Sequence, residues 1–180
     1  NTFRRLFGEG SFNAAFVPSY SKELIKGKKQ SENFANNIFN LLTIFLLGLV
    51  LLIELFMPFF VSLIAPGFKS NPEKFALATQ LTKITFPFIL FVSLASFFSA
   101  ILNSHNRFAA ASAAPIILNI VMIGILIFGK VLGEKLVIFL SYGVSIAGFI
   151  QAIFLILFVK KFFKPKFKIK IKISKEIKLF

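Results

Sequence analysis

The sequence predicts an all-α fold, a polytopic bundle of transmembrane helices. Hydrophobic residues make up 57% of the 180 residues and the mean hydropathy is +0.83. Soluble domains average about 45–50% apolar residues. The apolar residues fall in long runs separated by short polar loops, and several runs reach the ~20 residues that a helix needs to cross a ~30 Å hydrocarbon layer.

The composition also disfavours metal chemistry and disulfide bonding. The chain has no Cys, no Asp and a single His, His105. Disulfides and thiolate metal sites therefore cannot form, and the usual oxygen and imidazole ligand sets are missing. No cofactor or metal is predicted, and His105 is interpreted as a solvated loop residue.

The apolar runs predict five helices, at about 1–24, 38–64, 76–103, 111–129 and 136–162. Asn71-Pro72-Glu73 is typical of a helix start, with Pro in the first turn, and Pro87 predicts a kink. Two sets of small residues predict close helix packing: Ser93, Ser96 and Ala100, and the Gly143-x-x-x-Ala147 pair.

Two polar residues interrupt the apolar runs. Glu54 lies in the second predicted helix, either with its carboxylate at the outer interface or as a buried proton-coupling group. Asn119 lies in the fourth, where it either hydrogen-bonds to a neighbouring helix or faces the interior of the bundle.

The N-terminal stretch places charge inside an apolar helical pattern. On a helix, Arg5 and Glu9 are four residues apart and can pair on one face. Arg4 lies about 100° away, on the face of Gly8, Ser11 and Ala15, and has no local acid. Because lipid does not tolerate an unpaired guanidinium, we expect Arg4 to face a wet cavity or an anionic ligand. The alternative is that both arginines extend to water at a membrane interface.

Basic residues alternate between dense and sparse loops. Fourteen lie in the loop after the first helix, at Arg107 and in the tail, whereas the alternate loops carry five. The positive-inside rule therefore predicts that loops 21–37 and 103–110 and tail 160–180 are cytoplasmic.

Residues 163–180 are predicted to form a basic cytoplasmic connector. Nine lysines follow the last apolar run. Anionic lipid is the expected partner of this tail, rather than nucleic acid, because few aromatic residues separate the lysines.

Several blocks resemble one transporter family. RRLFGEGSFNAAFVPSY near the N-terminus, APGF at 65–68, the run at 81–124 that includes ILNSHNRF, and VSIAGFIQAIFLI at 144–156 are similar to the MurJ (MviN) lipid II flippases of the multidrug/oligosaccharidyl-lipid/polysaccharide exporter superfamily. The resemblance implies a fourteen-helix transporter of the bacterial inner membrane, not an enzyme. It also implies that this chain covers most of helix two to helix six, with helix one and the C-terminal lobe outside it.

In that family, arginines line a central cationic cavity that receives the diphosphate and sugar head of lipid II. By the resemblance, Arg4 matches one of them, while Arg5 and Glu9 match adjoining motif residues. Arg4 and Arg5 are the expected substrate-binding residues. The expected cavity-supporting residues are Glu9, Gly8, Gly10, Ser11 and Asn119.

Other functions remain open from the sequence. The nearest is a flippase or exporter for another lipid-linked oligosaccharide or a cationic drug, although the prominent intramembrane charge is positive. A polyprenyl-lipid enzyme is a second, but such enzymes generally need Asp-rich metal motifs that this chain lacks. A membrane scaffold is a third.

Overall fold

The structure, a computed structural model, describes residues 11–167, apart from the side chains of Ser11, Lys130, Leu132 and Glu134. All regular secondary structure in that range is helical, which confirms the all-α prediction. Two 3₁₀ segments, Pro66–Ser70 and Gly133–Lys135, connect the α-helices. The α-helices are α1 Ser11–Lys26, α2 Lys28–Leu55, α3 Met57–Ile64, α4 Pro72–Thr85, α5 Phe88–Ser104, α6 Phe108–Ile127, α7 Gly129–Leu132 and α8 Leu136–Val159.

Four helical segments are long and apolar enough to cross a membrane. They are Lys28–Leu55, Pro72–Ser104, Phe108–Ile127 and Leu136–Val159. Large apolar side chains remain exposed along them, for example Leu51 at 62% and Ile120 at 64%. Such a surface suits a hydrocarbon solvent.

The second helix differs from its predicted bounds of 38–64. It begins at Lys28, so segment 21–37 is helical except at Gly27, whose φ is +123°. The polar composition of this segment concealed a helical face, because Phe34, Ala35 and Ile38 are buried against the bundle. At its other end the helix stops at Leu55, and the separate helix α3 has Pro58 in its first turn.

The helix-start signal at Asn71-Pro72-Glu73 and the kink at Pro87 are both confirmed, although the helix begins at residue 72 and not at the predicted residue 76. Asn71 caps α4, since its Oδ1 accepts a hydrogen bond from the Lys74 backbone N–H at 3.0 Å. At Pro87 the helix breaks into α4 and α5. The Ser145 hydroxyl on α8 donates to the Ile84 carbonyl at 2.5 Å beside this break. A broken helix in lipid needs such a bond, because no water is available for the freed carbonyl.

An aromatic cluster centred on Phe97 of α5 forms the core. Phe97 is fully buried. Its ring centroid lies 5.2 Å from that of Phe16 on α1, 5.8 Å from that of Phe39 on α2 and 5.8 Å from that of Phe163, which follows α8. Four separate parts of the chain therefore meet at one side chain.

Small residues allow α8 to approach α5 and α6, as predicted. Gly143 and Ala147 are buried, and so are Ser93, Ser96 and Ala100 on α5. Gly148 also lies in this interface, where a Cβ would be 2.5 Å from Cδ2 of Phe88. Only glycine fits at this position without moving the neighbouring ring.

The turn between α5 and α6 is a Schellman motif. Asn106 has a φ of +57°, and its N–H donates to the Asn103 carbonyl at 3.0 Å. The Arg107 N–H donates to the Leu102 carbonyl at 2.9 Å. This pair of bonds is the pattern that closes a helix C-terminus with one left-handed residue.

One end of the bundle, which we call the basic end, consists of residues 20–36, 103–110 and 160–167. The Tyr20 hydroxyl and His105 Nε2 lie 3.2 Å apart, and the Phe162 ring stacks on His105 at 4.3 Å. Burial lowers the pKa of His105. His105 was expected to be a solvated loop residue, but it is only partly exposed, because Phe162 returns from α8 to cover it.

The tight approach at Gly148 yields a stability prediction. We expect Gly148→Ala to lower the free energy of unfolding by about 1–3 kcal/mol, because the added methyl overpacks against Phe88. Gly124→Ala is the matched control, since a Cβ there meets no atom within 4 Å. It should leave stability unchanged or raise it by up to ~1 kcal/mol through better helix propensity. Thermal unfolding of the purified protein in detergent measures both, and equal midpoints would contradict this packing.

The Schellman turn yields a second prediction. Asn106→Gly should preserve stability, because glycine adopts a positive φ without strain. Asn106→Val should lower the free energy of unfolding by about 1–3 kcal/mol, because a β-branched residue is strained there. The same thermal assay compares the two variants, and a valine variant as stable as the glycine variant would rule out the left-handed conformation.

Candidate functional site

Helix α1 has two contrasting faces. Phe16 and Tyr20 are fully buried, and Phe12 and Phe16 both contact Phe97. The opposite face carries small residues, and Ala14, Ala15 and Pro18 are all exposed. The aromatic side thus fixes the rotation of α1, and the small side is left uncovered by the rest of the described chain.

A polar cleft of about 370 Å³ opens beside this helix, between α1, α5, α6 and α8. Hydroxyl and amide side chains are spread over all four walls. The polar lining residues are Asn13, Ser96, Ser99, Asn103, Ser112 and Gln151.

Asn13 is the most informative residue of the cleft. Its Oδ1 is buried and accepts no hydrogen bond among the described residues. An unsatisfied amide oxygen in a buried position costs about 1–3 kcal/mol. Asn13 thus lines the cleft with a side chain whose acceptor is unsatisfied among the described residues.

Sequence reasoning missed most of this cleft, although a signal was present. Ser96, Ser99 and Asn103 follow one another at spacings of three and four, which places them on one face of α5. The stripe chosen from the sequence was Ser93, Ser96 and Ala100, which includes only one of these three residues and was interpreted as helix packing. Asn13 and Gln151 are isolated amides inside apolar runs, the same signal that selected Asn119.

Asn119 lies on α6 with its side chain exposed. Within residues 11–167 it makes no hydrogen bond to another helix. Its predicted supporting role stays a prediction.

The other predicted site residues lie at the N-terminal edge of the described chain. Arg4, Arg5, Gly8, Glu9 and Gly10 are outside the described residues, and Ser11 is described only as the first residue of α1. The connector from residue 168 onward is also outside them.

Glu54 is partly buried near the end of α2. Its Oε1 is shielded and has no hydrogen-bond partner among the described residues. The positively charged Lys83 on α4 interacts electrostatically with the Glu54 carboxylate. Neither residue lines the polar cleft.

The described part of the chain offers no metal centre. No three His, Cys, Asp or Glu side chains within it are grouped closely enough to bind a metal ion. The cleft offers amides, hydroxyls and apolar walls, which can bind a polar molecule.

The family model and the similar proteins that match this chain all carry the same description. The family model described as "Lipid II flippase MurJ" matches residues 1–180. A probable lipid II flippase MurJ from Rickettsia prowazekii (strain Madrid E) is 41% identical over 162 residues, which cover 89% of this chain and 32% of the relative. A protein of the same description from Rhizobium meliloti (strain 1021) is 42% identical over 156 residues, which cover 84% of this chain and 29% of the relative.

A more distant relative carries the same description. The probable lipid II flippase MurJ of Aquifex aeolicus (strain VF5) is 34% identical over 154 residues, covering 85% of this chain and 30% of the relative. The chain thus spans about a third of the length of the curated relatives it matches. The family model covers every residue of the chain, and the chain therefore belongs to the MurJ lipid II flippase family.

Proposed function

We propose that this chain is part of a longer transporter that moves lipid II, the undecaprenyl-diphosphate-linked peptidoglycan precursor, from the inner to the outer leaflet of the bacterial cytoplasmic membrane. Family membership supports the substrate, because the matching relatives carry the name of lipid II flippase. The four long apolar helices support a membrane-embedded protein.

The uncovered face of α1 is the main structural observation that supports the proposed mechanism. The helical register predicted from the sequence places Arg4 on the face of Ala15 and Pro18, which lie eleven and fourteen residues further on. Both of these residues are exposed, and the helix side chains there are small. This supports a position for Arg4 on a surface that a bulky polar head group can approach.

Arg5 and Glu9 lie on a different face of the predicted helix. They share a predicted face with Phe12 and Phe16, which pack against Phe97. This supports a positioning role, in which the Arg5–Glu9 pair holds the helix orientation while Arg4 contacts the substrate. Gly8, Gly10 and Ser11 would then let the head group approach the backbone.

The chemistry suits a guanidinium. The diphosphate carries about two negative charges, and a guanidinium binds phosphate oxygens through a rigid fork of donors that Lys cannot reproduce. A low-dielectric cavity strengthens this interaction, although desolvation offsets part of the gain.

The polar cleft supplies a second set of contacts in this proposal. The side chains of Asn13, Ser99 and Gln151, which line the cleft, offer polar groups to the sugar-peptide head. In this proposal Asn119, which is exposed, faces the same interior once the rest of the transporter surrounds it.

Transport proceeds by alternating access in this proposal. The lobe that contains these helices rocks against a second lobe, so that the cavity opens first to one leaflet and then to the other. The basic end faces the cytoplasm, because it holds most of the cations of the described loops.

The Arg4 clamp predicts a specific loss of transport. In cells depleted of their own lipid II flippase, a full-length protein with this segment should deliver lipid II to the outer leaflet. Arg4→Ala and Arg4→Lys should each lower that delivery about tenfold or more, since a hydrogen bond to a charged group contributes about 1.5–3 kcal/mol. Labelling of outer-leaflet lipid II measures the result at matched membrane expression.

The matched control is Lys74→Ala, which removes an exposed cation near the opposite end of the bundle. It should transport like the wild type. Normal transport by both Arg4 variants would remove Arg4 from the mechanism, and failure of the wild type itself would overturn the proposed substrate.

A further inference from the structure

An apolar groove of about 490 Å³ lies at the basic end, between the start of α6 and the end of α8. Leu102, Ala109, Ala110, Leu157 and Phe158 form most of its lining. Leu157 is 57% exposed and Phe158 is 49% exposed, so the groove opens onto the lipid-facing side of the bundle. Its walls suit an acyl chain.

Two cations stand in the same groove, Arg107 and Lys161. Neither forms an ion pair with an acid among the described residues, whereas the acids of the basic end are already paired. Glu23 accepts from Lys26 at 2.6 Å, and Glu32 lies 4.0 Å from Lys28. The groove therefore carries uncompensated positive charge above an apolar floor.

The backbone fixes one of these cations. The Schellman turn holds Arg107 at the N-cap of α6, and no side chain of the described residues caps the first turn of that helix. The free N–H groups of the first turn add a partial positive charge beside the guanidinium. Arg107 is thus presented by a rigid turn and not by a loose loop.

The chain's own tail is a poor occupant for this groove. After Phe162 it turns towards α2, where the Lys166 N–H donates to Asn36 Oδ1 at 2.8 Å. Phe163 is fully buried beside Phe39 on the way. Residues 168–180 are also basic, with five lysines and one glutamate, and so carry the same sign of charge as the groove.

We propose that this groove binds an anionic phospholipid of the leaflet at the basic end. The phosphate and acidic head group lie against Arg107 and Lys161, and one acyl chain lies along Leu157 and Phe158. The inference concerns a lipid of the surrounding bilayer and stands independently of the transported substrate.

An introduced indole can locate this lipid, because the 180 residues contain no Trp. Phe158→Trp places the reporter in the groove. Phe45→Trp on α2 is the matched control, since Phe45 is 54% exposed and away from the groove. The two positions have nearly equal depth: Phe45 is six residues beyond Phe39 and Phe158 is five before Phe163, and those two rings are 6.4 Å apart.

The purified protein is placed in phosphatidylcholine bilayers that contain a small fraction of brominated phosphatidylglycerol or, separately, brominated phosphatidylcholine. At the Phe158→Trp site we expect phosphatidylglycerol to bind about fivefold or more tightly than phosphatidylcholine, since each basic residue near an anionic lipid contributes roughly that factor. At the Phe45→Trp site the two lipids should quench equally.

Charge removal completes the test. Arg107→Gln with Lys161→Gln should abolish the preference for phosphatidylglycerol, whereas Lys69→Gln with Lys74→Gln, at exposed positions outside the groove, should retain it. Equal quenching by both lipids at the groove would overturn the proposal. A preference that survives removal of both groove cations would also overturn it, as would an indole that neither lipid reaches, which would mean that protein covers the groove.

Discussion

The packing of α1 against Phe97 is the interaction on which the rest of this structure depends. Phe12 and Phe16 lie one helical turn apart and both contact that ring, so α1 has one rotation that buries them. The rotation in turn decides which face of α1 stays open. With this rotation, the small residues of α1 lie on the open face and Asn13 lies at its edge. The proposed substrate contact at Arg4 lies on the same face, further towards the N-terminus.

The same ring links distant parts of the chain. Phe39 comes from α2 and Phe163 from the segment after α8, and both lie within 6 Å of Phe97. Aromatic pairs add about 0.5–1.5 kcal/mol each beyond the area that they bury. In lipid, where apolar burial alone gives little drive for helix association, such shape-specific contacts and the close approach at Gly148 hold the bundle together.

Hydrogen bonding explains how the chain tolerates breaks inside a membrane. The carbonyl of Ile84 lies beside the proline break, and the hydroxyl of Ser145 satisfies it. Asn103 and Leu102 use the left-handed Asn106 to satisfy their carbonyls at the basic end. These local solutions leave the turn before α6 rigid, and a rigid turn is what presents Arg107 to the groove.

Sequence patterns predicted the fold class, the proline break and the small-residue packing, because each depends on local chemistry at a recognisable spacing. They failed at residues 28–37, where a polar composition concealed buried Phe34 and Ile38. They also failed at His105, because its environment depends on Phe162, which lies 57 residues later in the chain. The polar cleft was missed for the same reason, since four helices contribute to it and no single run of sequence displays it.

The measurement that tests the central claim most directly is the water accessibility of α1 in the full-length protein. Single cysteines at Ala15, on the open face, and at Leu51, on the lipid-facing surface of α2, would be labelled by a membrane-impermeant thiol reagent in a background free of other cysteines. The account predicts labelling at Ala15→Cys, slowed by lipid II, and little labelling at Leu51→Cys. Equal protection at both positions would contradict it, because the small face of α1 would then be buried in lipid or protein.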